Sequence, residues 1–133
     1  MIPAFNEYGY LPAGLHGATL DEIAARFGQQ TELRRVQMES LRWLSDLAKR
    51  AGVERLVING SFATDVAEPN DVDCVLLFGA DFPRDDEAEQ ELLNGLPFLE
   101  IQLVRQARFT MLVERFFATD RESIPKGMVE VMP

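Results

Sequence analysis

The chain has 133 residues, 47% apolar and 26% charged, a globular composition that supports one domain over 1–133 and excludes a disordered or repeat protein. It is long enough to bury a core and to fold alone or as a simple oligomer. Thirteen Lys and Arg against 22 Asp and Glu leave a formal charge of −9, which repels nucleic acid at long range and makes RNA a disfavoured partner.

No apolar stretch is long enough to span a bilayer, and residues 1–10 have neither a basic start nor an apolar signal region, so no membrane partner and a cytoplasmic address are expected. The single cysteine, Cys74, and the single histidine, His16, are too few for a Cys/His zinc site. Cys74 reads as a small buried hydrophobe, and His16 as a capping or packing residue.

Residues 1–18 mix Pro, Gly and aromatics without period and read as an extended arm lying on the domain. Thr19-Leu20-Asp21-Glu22 has the form of a capping box, in which hydroxyl and carboxylate each satisfy an orphan helix N–H; a short helix follows and ends near Gly28. From Thr31 to Ala51, Leu33, Val36, Leu41, Leu44, Leu47 and Ala48 recur at helical spacing. The bases Arg34 to Arg50 read as the solvated face of that helix.

Gly52 stops the helix, and Arg55–Asn59 is a buried strand. Gly60 to Pro69 is a turn with a short helical piece, and Asp71–Phe78 is a second strand with a nearly all-apolar end. An acidic helix over Pro83–Leu93, a third strand over Phe98–Val104 and a helix carrying Phe109, Leu112, Val113, Phe116 and Phe117 complete the alternation. Gly127–Val131 adds a small edge strand. The expected fold is α/β, a mixed sheet flanked by helices.

The chemistry concentrates between Asn59 and Glu100. Gly60 at the end of a buried strand lets backbone approach a ligand closely, and Ser61 adds a hydroxyl and an N–H at a helix start, which together make a phosphate seat. Asp71 and Asp73 stand two apart on a strand, so both carboxylates leave one face, while Val72 and Cys74 point into packing. Paired carboxylates entering a core repel each other and lose hydration, a cost that a divalent cation relieves. Magnesium takes oxygen ligands and bridges one or two carboxylates to substrate phosphates. Glu100, alternating with apolar residues on a neighbouring strand, supplies a third acid for a two-metal site.

Taken singly, each piece has a plainer reading. Gly60-Ser61 alone is an ordinary tight turn, Asn70-Asp71 alone is turn chemistry, and Glu100 alone is a strand residue facing solvent or an arginine.

A buried strand ending in Gly60-Ser61, the Asp71-Val72-Asp73 pair and Glu100 on a later strand together resemble the nucleotidyltransferase superfamily of DNA polymerase beta, in its minimal bacterial members. The likeness covers roughly residues 55–104, and Asn59 departs from the usual apolar neighbour. The opening Ile2-Pro3-Ala4-Phe5-Asn6, Gly9, Leu11-Pro12, Gly14 and His16, with the closing Lys126-Gly127, also resembles a bacterial family of small proteins carrying this core.

The resemblance implies a nucleotidyltransferase-like sheet and magnesium-dependent transfer of a nucleoside monophosphate from a nucleoside triphosphate to a hydroxyl. Two Mg2+ ions, or Mn2+ in their place, would be held by Asp71, Asp73 and Glu100 as catalytic and metal residues, with Gly60 and Ser61 on the phosphates. Residues 105–126 carry Arg105, Arg108, Arg115, Arg121 and Lys126 against three acids, and of these bases Lys126 and Arg105 are the expected phosphate contacts. Relatives in toxin–antitoxin and defence systems make a protein partner the expected acceptor ahead of RNA. The alternative is a catalytically degenerate binding module that neutralises a protein partner.

Overall fold

A computed structural model describes residues 2–133. In chain order the elements are β1 (Gly14–Thr19), α1 (Leu20–Phe27), α2 (Glu32–Ala51), β2 (Val53–Asn59), a 3-10 turn (Ser61–Ala63), β3 (Val72–Phe78), α3 (Asp86–Asn94), β4 (Leu99–Val104), α4 (Gln106–Met111) with a π turn (Leu112–Phe116), and β5 (Gly127–Met132). Three of the helices start on capping side chains. Thr19 and Glu22 close a reciprocal capping box on α1, Thr31 accepts from the Arg34 N–H at the start of α2, and Asp85 accepts from the Glu87 and Ala88 N–H groups at the start of α3. Gly52 ends α2 in the left-handed conformation at φ 90°, which its missing Cβ permits.

The five strands form one mixed sheet in the order β1-β5-β2-β3-β4. β2 runs antiparallel to β3 and β5; β3 and β4 are parallel, as are β1 and β5. The α/β architecture expected from the sequence is therefore present, with two corrections at its border. The arm over residues 1–18 is not wholly irregular, because Gly14–Thr19 pairs with Gly127–Met132 as β1. That pairing moves β5 off the edge to a place between β1 and β2, leaving β1 and β4 at the borders. The arm lacks alternation because β1 is half Gly and Ala, so its pairing is carried by backbone with little side-chain signal.

Alternation along β3 divides the core. Val72, Cys74 and Leu76 pack with Ile58, Leu41, Leu44 and Leu92 beneath α1, α2 and α3. Val75 and Leu77 turn the other way, onto Val57, Phe109, Leu112 and Val113. Cys74 is free and fully buried, and burial pushes its thiol pKa up. Phe117 packs on the second cluster, whereas Phe116 is 66% exposed, so the aromatic pair is split between core and surface. Trp43 also stands half-exposed on α2. His16 makes a 2.7 Å hydrogen bond between Nε2 and the Pro12 carbonyl, the packing role expected of it.

Candidate functional site

Strand register assembles the site. Asn59, the last residue of β2, is paired with Asp73 on β3, and Asp73 with Glu100 on β4. Directly opposed residues project to one face of a sheet, so an amide and two carboxyls form a row across three strands. The row lies on the face that carries Val57 and Val75, not the face beneath α1–α3.

Asp73 is half-buried, and its carboxyl pKa is pushed up to about 6. Loss of hydration is the largest cause, followed by a hydrogen bond with the Glu100 carboxyl and the charge of Glu100. The positive charge of Lys126 works against this rise, and the negative charge of Asp71 adds to it. Two carboxyls hydrogen-bonded to each other require a proton between them. Such a proton occupies the position a cation would neutralise.

Gly60 follows directly, at φ 78° and ψ −163°, a backbone region that only glycine adopts without strain. A Cβ placed on Gly60 would overlap Asp73 Oδ2, so the absence of a side chain is what lets the carboxyl lie over the turn. Ser61 opens the 3-10 turn and is exposed, and its carbonyl accepts from the Thr64 N–H at 3.1 Å and from Thr64 Oγ1 at 2.6 Å.

Of the expected site residues, the structure brings together Asp73, Glu100, Gly60 and Lys126, with Ser61 next in the chain. Asp71 precedes β3 rather than lying within it and is exposed at the rim, close enough for its charge to act on Asp73. Among the described residues no group of three or more His, Cys, Asp and Glu is clustered to hold a metal ion. The observed unit is a pair with a third acid outside it.

Arg105 is not at the site. It follows the C-terminal end of β4, whereas Glu100 is near the start, and five strand steps separate them by roughly 16 Å. Its guanidinium lies 4.8 Å over the Phe78 ring instead. Lys126 stands near enough for its charge to act on Asp73, because β5, which it precedes, pairs with the end of β2 at Ile58 and Val129; its N–H donates to the Ala118 carbonyl at 2.9 Å. Tyr10 donates a 2.7 Å hydrogen bond to Asp120 in the same turn and bridges Thr64 beyond Gly60, so the arm fastens both flanks of the site.

Two clefts, of about 460 Å³ between α2 and the start of β2 and about 420 Å³ between α4 and β1, contain none of these acids. The acid pair lies outside both, with Glu100 exposed and Asp73 half-buried.

Residues 3–132 match the family of unknown function DUF6932. The chain belongs to this family. No curated protein and no solved structure matches it.

Two residues of this DUF6932 chain escape a reading by motif. Arg34 is 2% exposed, not part of a solvated face. Its guanidinium donates to the carbonyls of Ser61 at 3.4 Å, Phe62 at 2.8 Å, Thr64 at 2.9 Å and Val66 at 3.1 Å, clamping the segment after Gly60, and to that of Phe27 at the end of α1 at 3.0 Å. Burial lowers its pKa, and it remains a cation. The signal was positional: Arg34 stands four residues before Met38 and seven before Leu41, on the buried stripe. Asn59 is the second, fully buried beside Asp73.

Proposed function

We propose that this chain is a magnesium-dependent nucleotidyltransferase that moves a nucleoside monophosphate from a nucleoside triphosphate onto a hydroxyl, with a protein acceptor preferred to RNA. The carrying observation is the Asp73–Glu100 carboxyl pair in strand register, lying over a glycine turn that no side chain would permit. The donor set fits the ion: the hard oxygens of one or two carboxylates, with water and substrate phosphates, are what magnesium takes.

When bound, magnesium supplies charge neutralisation on the triphosphate and acidification of the acceptor hydroxyl. Asp73 and Glu100 would hold it, with Asp71 at the rim as the third carboxylate. The backbone at Gly60 and Ser61, with the Lys126 ammonium, faces the phosphates. In the transfer, the acceptor oxygen forms a new bond to the α-phosphorus, the bond from that phosphorus to the bridging oxygen breaks, pyrophosphate leaves, and the hydroxyl proton passes to water. Two Mg2+ ions, or Mn2+, are the complement this reading assigns. A cytoplasmic setting in a toxin–antitoxin or defence pair follows from the resemblance to minimal bacterial relatives. No helix among the described residues is long and apolar enough to cross a membrane.

A second reading has its own observation. Asp71 stands outside the acid pair, and Phe116 and Trp43 present exposed aromatic surface; both features suit a degenerate fold that neutralises a protein partner by contact alone. Incubating the protein with each α-labelled nucleoside triphosphate, Mg2+ or Mn2+ and a cell lysate separates the two. Label on a protein band that is lost in Asp73→Asn supports transfer. Retention of a partner by wild type and Asp73→Asn alike, with no label, supports the binding module.

A further inference from the structure

Asn59 is the last residue of β2 and is completely buried, yet neither its Oδ1 nor its Nδ2 has a hydrogen-bond partner. Gln37, the other residue with an unpartnered buried side-chain atom among those described, is half satisfied, because its Nε2 donates to the Pro69 carbonyl at 2.7 Å. Only Asn59 buries both polar atoms of its side chain for no return. A leucine of nearly the same shape would fill the position without the desolvation penalty. The penalty therefore belongs to one state of the site, and a second state should recover it.

The strand register names the partner. Asp73 is the residue directly opposite Asn59 on the antiparallel neighbour, which places their Cβ atoms on one face at about 4.5–5.5 Å. In the present state the Asp73 carboxyl lies against Gly60 and faces Glu100 across the strands, and it makes no hydrogen bond with the amide. A cation held by the acids would take the place of their mutual contact and leave Asp73 free to turn toward the amide.

We propose that Asn59 is a positioning residue for the cation site: its Nδ2–H₂ donates to the Asp73 carboxylate once Asp73 has left Glu100, and so holds that carboxylate in its ion-binding orientation. The inference rests on the reading of Asp73 and Glu100 as cation ligands. Asn59 itself touches no ion; it acts through Asp73, and its contribution appears only in the loaded state.

The test is Mn2+ binding to the full chain, read from loss of the free-ion signal in electron paramagnetic resonance, together with the melting temperature without metal. Asn59→Leu should melt at or above the wild-type temperature and bind Mn2+ at least tenfold more weakly. Asn59→Thr, which keeps a donor hydroxyl one bond closer to the strand, should fall between the two, and it carries the test if the leucine variant does not fold. Unchanged affinity in either variant overturns the inference and leaves the acid site standing. A weakened affinity accompanied by a lowered melting temperature also overturns it, because the amide would then be structural. Failure of the wild type itself to bind Mn2+ overturns both the inference and the reading beneath it.

Discussion

Asp73 and Glu100 oppose each other across β3 and β4 with their carboxyls hydrogen-bonded, and Asp73 is held protonated up to about pH 6. The folded state thus keeps a proton that the unfolded chain releases near the ordinary Asp value of 3.8. Stability from this group is complete below pH 4 and is lost as pH rises through 6. With solvent screening at a half-buried group counted, the loss is about 1 kcal/mol. Urea midpoints between pH 4 and pH 8 should decline for the wild type and run flatter for Asp73→Asn, which should be the more stable protein at pH 8. The capping carboxylates Asp85 and Asp120, whose pKa values are lowered, act in the opposite sense and only as pH falls below 4, so the two windows separate.

Gly60→Ala should strike fold and site together. Its φ of 78° with ψ −163° costs an L residue about 1–3 kcal/mol, and the new methyl must also displace the Asp73 carboxyl. A total loss of about 3 kcal/mol is expected in chemical denaturation. Gly95→Ala is the control, since at φ 83° it meets nothing within 4 Å and carries the backbone strain alone. Metal binding should survive Gly95→Ala and fail in Gly60→Ala.

Arg34 should resist conservative replacement. Five carbonyls converge on its planar fork, and Lys offers a single point of charge that cannot reach them all. Arg34→Lys should cost about 2–4 kcal/mol by leaving buried carbonyls unpaired, and should loosen the segment from Ser61 to Val66. Amide hydrogen exchange at Ala63 and Thr64, whose N–H groups bond back to Gly60 and Ser61, would report it.

The parts of this fold visible in the sequence are those with a period or a cap. The Thr19 box, the stripe of α2 ending at Gly52, and the apolar runs of β2 and β3 carry their own signals and stand where they were expected. β1 was hidden because its residues are small and its partner is more than a hundred positions away, and without it β5 looks like an edge. In the candidate site, alternation puts Glu100 on a strand neighbouring that of Asp73, and the register pairs the two residues. Arg105 is expected at the phosphates because it ends the strand that carries Glu100, but five strand steps separate the two, so the end of β4 lies away from Asp73. Arg34 escapes the sequence because a polar residue on a helix reads as solvated until the structure shows what buries it, here carbonyls from segments distant in the chain. Asn59 is legible as part of a buried strand, but not that its amide is left without a partner there.

The site hypothesis meets its most direct test in titration calorimetry of Mn2+ with a non-hydrolysable nucleoside triphosphate analogue, comparing the wild type with Asp71→Asn/Asp73→Asn. A saturable heat in the wild type that disappears in the double variant is the expected outcome. Equal heats in both proteins, or none in the wild type, would show that these carboxylates hold no nucleotide-bound ion.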